Sequence, residues 1–277
     1  MAVDFGRIFS ASFKYPLRKD AYLVIFAVQL IFAMLSWLIT GLFAGELFTS
    51  EGLPVPGNLI QVLIYVVPVW IAGFIATTFL MPMYMENASF FFKAKRKRLL
   101  ETLETSKKRF IPLLVLTVVF GLIALACFGG LLLVMAGTSL SETSPSNLAL
   151  VAAGGLWFLV GLVVGAIVIF MTSMSGFFCV LEKTKPIESL KKSWNLVGKN
   201  KLNTFIFFVL LIIIYVAIAI IGALPESVFI ILAGQPQTLS VPGFAFMVIR
   251  TIVYAYLFLF LVSAGTSYYL SIKKSKD

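Results

Sequence analysis

The chain has 277 residues, of which 60% are hydrophobic and 12% charged, with a mean hydropathy of +1.03 and a formal net charge of +10. A soluble domain carries about 25% charged residues, so this chain cannot coat a globule with polar surface and part of its solvent is lipid. It contains no His. The commonest general base, metal ligand and near-neutral pH switch are therefore excluded.

The opening MAVDFGRIFSASFKYPLRKD is too polar for the apolar core of a cleavable signal, so the apolar stretch after it reads as a retained span. A spanning helix needs roughly 20 apolar residues. Six segments qualify in chain order: about 21–45, 59–85, 110–137, 148–181, 202–224 and 248–272. Pro68 and Pro82 fall inside the second, where either can kink a helix whose neighbours satisfy the freed carbonyl. The fourth is longer than a bilayer requires, which predicts tilt or protrusion. Residues 225–249 are also apolar, but Gly234, Pro236 and Pro242 interrupt them. They read as an outer loop with a short interfacial or re-entrant piece. Cys127 and Cys179 fall in apolar segments at different depths, which predicts free, buried thiols.

Charge sets the orientation. Arg7, Lys14, Arg18 and Lys19 precede the first span, and Lys93, Lys95, Arg96, Lys97, Arg98, Lys107, Lys108 and Arg109 separate the second from the third. Lys183, Lys185, Lys191, Lys192, Lys199 and Lys201 separate the fourth from the fifth, and Lys273, Lys274 and Lys276 follow the sixth. The opposite loops hold Glu46, Glu51, Glu142 and Glu226 and no cation. By the positive-inside rule the basic side is cytoplasmic, with both termini on it. Short loops and the lack of a glycosylated exterior, with the family resemblance described below, suggest the cytoplasmic membrane of a prokaryote.

Three segments share one layout, an amphipathic stretch, a basic cluster and then a span: FGRIFSASFKYPLRKDAYLVIF, RKRLLETLETSKKRFIPLLVL and KTKPIESLKKSWNLVGKNKLNTFIFF. Anchored on Ser12, Ser106 and Ser193, they recur after 94 and then 87 residues. The reading is an all-α membrane protein of three two-helix repeats, about 1–90, 91–182 and 183–277, in one polytopic domain. Phe5, Ile8, Phe9 and Phe13 form a helical stripe, as do Leu99, Leu100 and Leu103, and Ile187, Leu190 and Trp194. Apolar stripes flanked by Lys and Arg suit helices lying in the cytoplasmic interface. Pro186 suits the first turn of the third, and Trp194 has the ring that interfaces favour.

The run KPIESLKKSWNLVGKNKLNTFIFFVLLIII resembles a pattern of a broad prokaryotic group. That group includes the six-span membrane domain of membrane-anchored glycerophosphodiester phosphodiesterases and related uncharacterised integral membrane proteins. The likeness covers most of the chain in layout and Pro186 to about Ile214 in motif. It implies a six-span domain in two-span units and no catalysis, because the phosphodiesterase domain is absent.

Arg18, Lys19, Lys107, Lys108, Arg109, Lys191, Lys192, Trp194, Lys199 and Lys201 are the candidates for lipid headgroups at the interface, each cation contributing about 1 kcal/mol near an anionic surface. Glu86 and Glu182 end the second and fourth spans at matching places, either as a boundary site or paired with adjacent lysines. With Arg250 and Gln61 they complete the candidate polar positions. Arg250 is intramembrane if the sixth span starts near 243, and then needs Glu226 or Glu46 as partner. If the span starts at 251, the guanidinium snorkels outward, which is the expectation here. Gly161 and Gly165 form a small-xxx-small step suited to close helix packing inside the chain. Asn87-Ala88-Ser89 matches a glycosylation acceptor but lies on the cytoplasmic side.

The function expected is therefore non-enzymatic, without cofactor or metal, engaging anionic membrane lipids or scaffolding membrane-protein partners. Nucleic acid is a poor partner, because the charge is split among short juxtamembrane segments. The alternative is a transporter or permease subunit for a small or lipidic substrate, with Gln61, Tyr65, Thr77, Thr78, Thr172, Ser173 and Ser175 as the few groups able to line a path.

Overall fold

The computed structural model describes residues 3–47, 59–95, 97–131, 133–134, 145–233 and 240–274, and among these it contains helices and no strand. Six helical stretches are long and apolar enough to cross a membrane, with mean hydropathies between 1.5 and 3.2, so this is a multi-pass membrane protein. The helices are α1 (Phe5–Lys14), α2 (Lys19–Leu47), α3 (Leu59–Phe92), α4 (Leu103–Phe128), α5 (Pro145–Thr172), α6 (Ser175–Leu181), α7 (Pro186–Lys199), α8 (Lys201–Ala233) and α9 (Val241–Lys274). Short 3₁₀ turns at Tyr15–Leu17 and Leu99–Thr102 lead into α2 and α4. The chain divides into two compact units, Met1–Lys108 with Leu202–Asp277, and Arg109–Lys201.

In the first unit, α1 starts at Asp4, whose carboxylate accepts the Arg7 amide at 3.0 Å as an N-cap. Its apolar stripe turns into the protein. Phe9 stacks between Phe207 and Phe260, with ring centroids 5.8 and 6.3 Å away, and Phe13 lies 4.7 Å from Phe260. The Ser263 hydroxyl of α9 donates to the Ser12 carbonyl at 3.1 Å. Periodicity finds such a stripe but cannot say whether lipid or protein covers it; here α8 and α9 do. The segment with Leu99, Leu100 and Leu103 also departs from the expected separate helix. It is a single 3₁₀ turn running straight into α4, with Leu99 buried against α3 and Leu100 exposed.

Prolines account for the largest differences in boundaries. Pro225 lies inside α8, which runs on to Ala233, and Pro242 sits in the first turn of α9. There the Ser240 hydroxyl accepts the Gly243 amide at 3.2 Å, the N-cap arrangement for which proline in the first turn is well suited. Most of the segment expected as an outer loop is thus helical. Residues 234–239, including Gly234 and Pro236, lie outside the described residues.

In the second unit the long fourth span is broken between α5 and α6. The Ser193 hydroxyl of α7 accepts the Met174 amide at 3.1 Å and donates to the Met171 carbonyl at 3.0 Å, replacing helical bonds at the break. The backbone of α4 passes so close to Gly161 of α5 that a Cβ there would overlap the Cys127 carbonyl. Both cysteines are free. Pro186 takes the first turn of α7, as expected, yet this helix buries Ser189, Ser193, Leu196 and Val197. Ile187 is left 70% exposed and Trp194 44%, so the sequence-defined apolar stripe is the outward face.

Burial alternates along the chain. Within an apolar 18-residue stretch of each span, 28, 22 and 33% of the residues are buried in the second, fourth and sixth, against 6, 11 and 6% in the first, third and fifth. The packed interior of each unit is therefore built from the even-numbered spans, and within them from the ends near the basic segments. Tyr84, Asn87, Met174, Cys179, Phe260 and Tyr268 are all essentially inaccessible there.

Candidate functional site

Two polar regions stand out, and the first is an ion pair between long apolar helices. Arg250 of α9 meets Glu226 of α8 at 2.5 Å, with the guanidinium side chain 57% and the carboxylate side chain 19% exposed. Because α9 begins at Val241, Arg250 stands well inside a helix rather than at the head of one. The expected snorkelling from a helix start at 251 is thereby replaced by direct pairing. Along α9, Arg250 lies eight residues, about 12 Å, from Phe258, whose ring packs edge-on against Tyr84. The Tyr84 hydroxyl bonds to the Ala21 carbonyl at 3.0 Å, in the same layer as the Arg18–Asp20 pair. The Glu226–Arg250 pair thus lies about two helical turns along α9 from the Phe258–Tyr84 contact, and the Tyr22 hydroxyl bonds to the Ile252 carbonyl beside it at 3.1 Å.

A cavity of about 440 Å³ surrounds this pair and is lined also by Ser36, Trp37, Thr251 and Tyr254. Charges in such a setting are costly alone and require a partner. Glu226 supplies it, as the sequence allowed. Gln61 lies on α3, but its side chain is outside the described residues, as is that of Glu46.

The second region is the basic end of the first unit. The Arg18 guanidinium donates to the Asn87 carbonyl oxygen at 3.2 Å and binds Asp20 at 2.9 Å. Tyr15 donates its hydroxyl to the same Asn87 oxygen at 3.2 Å, and the Asn87 amide donates to the Lys97 carbonyl at 3.1 Å. Burial, with the neighbouring Tyr84, pushes the Tyr15 phenol well above its ordinary range, so it stays a neutral donor. Arg18, a sequence-predicted headgroup ligand, spends most of its donors inside the protein. Its outer edge still joins Lys95, Lys97 and Arg98 around an open cavity of about 760 Å³ that Glu101 also lines.

Glu86 sits beside Lys97 at 3.7 Å and accepts from the Thr105 hydroxyl. In the second unit Glu182 sits 3.6 Å from Lys192, which also binds Glu188 at 3.0 Å. The bond to Glu188, reinforced by Glu182, holds the Lys192 ammonium above its ordinary range. Each acid is therefore met by the residue that precedes an anchor serine, Thr105 before Ser106 and Lys192 before Ser193. The serines match as well: Ser106 accepts the Met83 amide at 3.2 Å just after Pro82, as Ser193 accepts that of Met174. Lys19, Lys107, Lys191, Lys199 and Lys201 are exposed, Arg109 is half-buried, and Lys108 pairs with Glu104 at 3.5 Å.

Asn87 is the residue that sequence reasoning undervalued. Read as an unused glycosylation acceptor, it is completely buried and ties α3 to the segments before α2 and α4. Its signal in the sequence was an amide set between a Glu and an Ala–Ser at the end of an apolar run.

Residues 17–272 match the family described as a domain of unknown function (DUF7847). No curated protein and no solved structure matches the chain.

Proposed function

Since the chain belongs to the DUF7847 family, whose function is unknown, we propose its role from its own residues: a non-enzymatic integral membrane protein that engages anionic lipid at its basic end and scaffolds other membrane components there. One observation carries this reading. Leu17, Leu100, Ile187 and Leu202 are each at least 70% exposed, and each lies next to or near a cation, namely Arg18, Arg98, Lys185 and Lys201. Aliphatic side chains held outward beside Lys and Arg are what an anionic bilayer surface binds, through burial of the first and attraction to the second. The open cavity among Arg18, Lys95, Lys97 and Arg98 adds a place for a phosphate.

This reading puts the basic end and both termini in the cytoplasm of a prokaryotic cell, as the positive-inside rule requires. It also takes the chain as three two-helix repeats. The alternating burial of the spans and the matched Ser106–Met83 and Ser193–Met174 bonds support that organisation. The resemblance to the membrane domain of glycerophosphodiester phosphodiesterases is retained as part of the same proposal.

The test is lipid selection. Reconstituted into discs of phosphatidylcholine with a minor share of phosphatidylglycerol, the protein should enrich phosphatidylglycerol around itself. Added salt should reduce the enrichment, and so should joint replacement of Lys107, Lys191, Lys199 and Lys201 by Gln. A lipid shell of bulk composition, indifferent to salt and to those substitutions, would sink the proposal.

A second reading, transport, is favoured by the Glu226–Arg250 pair and its cavity. It requires water to reach the pair. Ser36→Cys, in a chain without its natural cysteines, should then react with a membrane-impermeant maleimide in sealed vesicles; complete protection from both sides would exclude this reading.

A further inference from the structure

A groove of about 560 Å³ runs between α2, α8 and α9 of the first unit, walled chiefly by Leu23, Ile218, Ile252 and Val253 with Lys19 among its lining residues. Its volume falls within the roughly 300–1,000 Å³ of small-molecule sites. The groove's two phenols point their hydrogen bonds elsewhere: Tyr22 donates to the Ile252 carbonyl at 3.1 Å and Tyr256 to that of Phe13 at 3.5 Å. What remains polar is the Lys19 ammonium. Lys19 is exposed and, among the described residues, makes no ion pair, whereas its neighbours Arg18 and Asp20 bind each other. The groove is therefore an apolar trough with one unspent cation. It starts in the charged layer of Arg18 and Asp20 and follows helices that are apolar on their outer faces, with Leu23 60% and Ile252 44% exposed.

We propose that this groove seats one anionic phospholipid, an acyl chain lying along Leu23, Ile218, Ile252 and Val253 and the headgroup phosphate against Lys19. The inference rests on the lipid-engaging reading and deepens it, from a surface that attracts anionic lipid to a single site that keeps one. Charge complementarity selects the occupant. A zwitterionic headgroup sets its own ammonium beside its phosphate and so offsets the attraction to Lys19, and an apolar helix from a second copy would bury the Lys19 ammonium against hydrocarbon, which is the less favourable arrangement by far. An anionic headgroup on an acyl chain satisfies both ends of the trough at once.

Native mass spectrometry of the full chain, released from discs of phosphatidylcholine and phosphatidylglycerol, reads the occupant directly. One phosphatidylglycerol per chain should survive activation that strips the remaining lipids. Lys19→Gln should lower its retention about five-fold, the effect of one interfacial cation. Leu23→Trp, at a position too exposed to support the fold, should lower it further by filling the trough. On the unaltered protein, a phosphatidylglycerol with a photoreactive acyl chain should crosslink to peptides holding Leu23 and Ile252–Tyr256. Retention unchanged in both variants, crosslinks confined to other segments, a retained phosphatidylcholine, or release as a dimer without lipid would each overturn the site. The loosely held lipids in the same spectra judge the broader proposal separately. Phosphatidylglycerol enrichment among them, with no retained copy, leaves surface engagement standing and removes the groove; the reverse outcome removes the surface and leaves the groove.

Discussion

Ser193 of α7 accepts the amide proton of Met174 at 3.1 Å, and this one hydroxyl bridges the break between α5 and α6 by also donating to the Met171 carbonyl. It is completely buried. Removing it strands a buried N–H and a carbonyl that the interrupted helix cannot satisfy. Ser193→Ala should therefore cost about 1–3 kcal/mol, seen as a lower melting temperature in detergent. Ser10→Ala, which removes an exposed bond to the Arg7 carbonyl, should leave the melting temperature unchanged. Equal, small effects at the two positions would show that Ser193 does not hold the break.

The Glu226–Arg250 pair predicts an asymmetric response. Glu226→Gln leaves the guanidinium uncompensated among apolar side chains, and a loss of about 1–3 kcal/mol is expected given that the Arg250 side chain is 57% exposed. Adding Arg250→Met removes the orphaned charge, so the double variant should recover most of that loss. A double variant less stable than Glu226→Gln alone would mean that the two side chains do not act as a pair.

Gly161 and Gly155 make a matched comparison on α5. A Cβ at Gly161 would overlap the Cys127 carbonyl, whereas nothing lies within 4 Å of one at Gly155. Gly161→Ala should then force α4 and α5 apart and cost more than about 2 kcal/mol, in the range of an overpacked core. Gly155→Ala should be neutral or add up to about 1 kcal/mol, since Ala is the better helix former. Thermal unfolding of the two variants side by side decides it, and the order Gly155→Ala below Gly161→Ala would refute the close approach.

These cases show where sequence reading reached and where it stopped. Six spans were legible because a bilayer imposes about 20 apolar residues on any helix that crosses it, whatever that helix packs against. Glu226 was legible as a partner for Arg250 because few acids lie near the ends of the spans opposite the basic segments. The face that α1 turns inward was not, since Phe5, Ile8, Phe9 and Phe13 repeat identically whether lipid or Phe207 and Phe260 cover them. Nor was the continuation of α8 and α9. Pro225 and Pro242 look alike as residue types, and only the Ser240 cap makes the second a helix start. The break at Met174 depends on a hydroxyl 19 residues away, beyond any local pattern.

Tyr15 predicts a pH effect with a definite sign. Its phenol is raised above the ordinary value of 10.0 first by burial, next by Tyr84, so the neutral form is the one the fold favours. The stability it contributes is fully present below about pH 10 and is lost as pH rises from there toward the higher folded value. Melting temperature should hold steady from pH 8 to 10 and fall above it. Tyr15→Phe should begin lower, by the loss of the bond to Asn87, yet decline less steeply in alkali. Parallel alkaline slopes for the two proteins would exclude Tyr15 as the titrating group.

The last prediction concerns how two spans end. Ala94 follows α3 with φ of 56° and Lys183 follows α6 with φ of 59°, the left-handed conformation that side chains disfavour by roughly 1–2 kcal/mol. Ala94 closes its helix through amide bonds from Ala94 to the Phe91 carbonyl at 3.1 Å and from Lys95 to that of Phe90 at 2.9 Å, the pairing of a glycine-type C-cap. Glycine meets that geometry without a Cβ. Ala94→Gly and Lys183→Gly should each stabilise the protein by about 0.5–1 kcal/mol, because glycine's larger entropy loss offsets part of the relief. The effects should add, since the cap bonds at the two sites go to different carbonyls, Phe90 and Phe91 at the first and Phe178 at the second. If glycine destabilises at either position, that helix does not end in a left-handed cap, and the matched endings of the second and fourth spans no longer support the repeat.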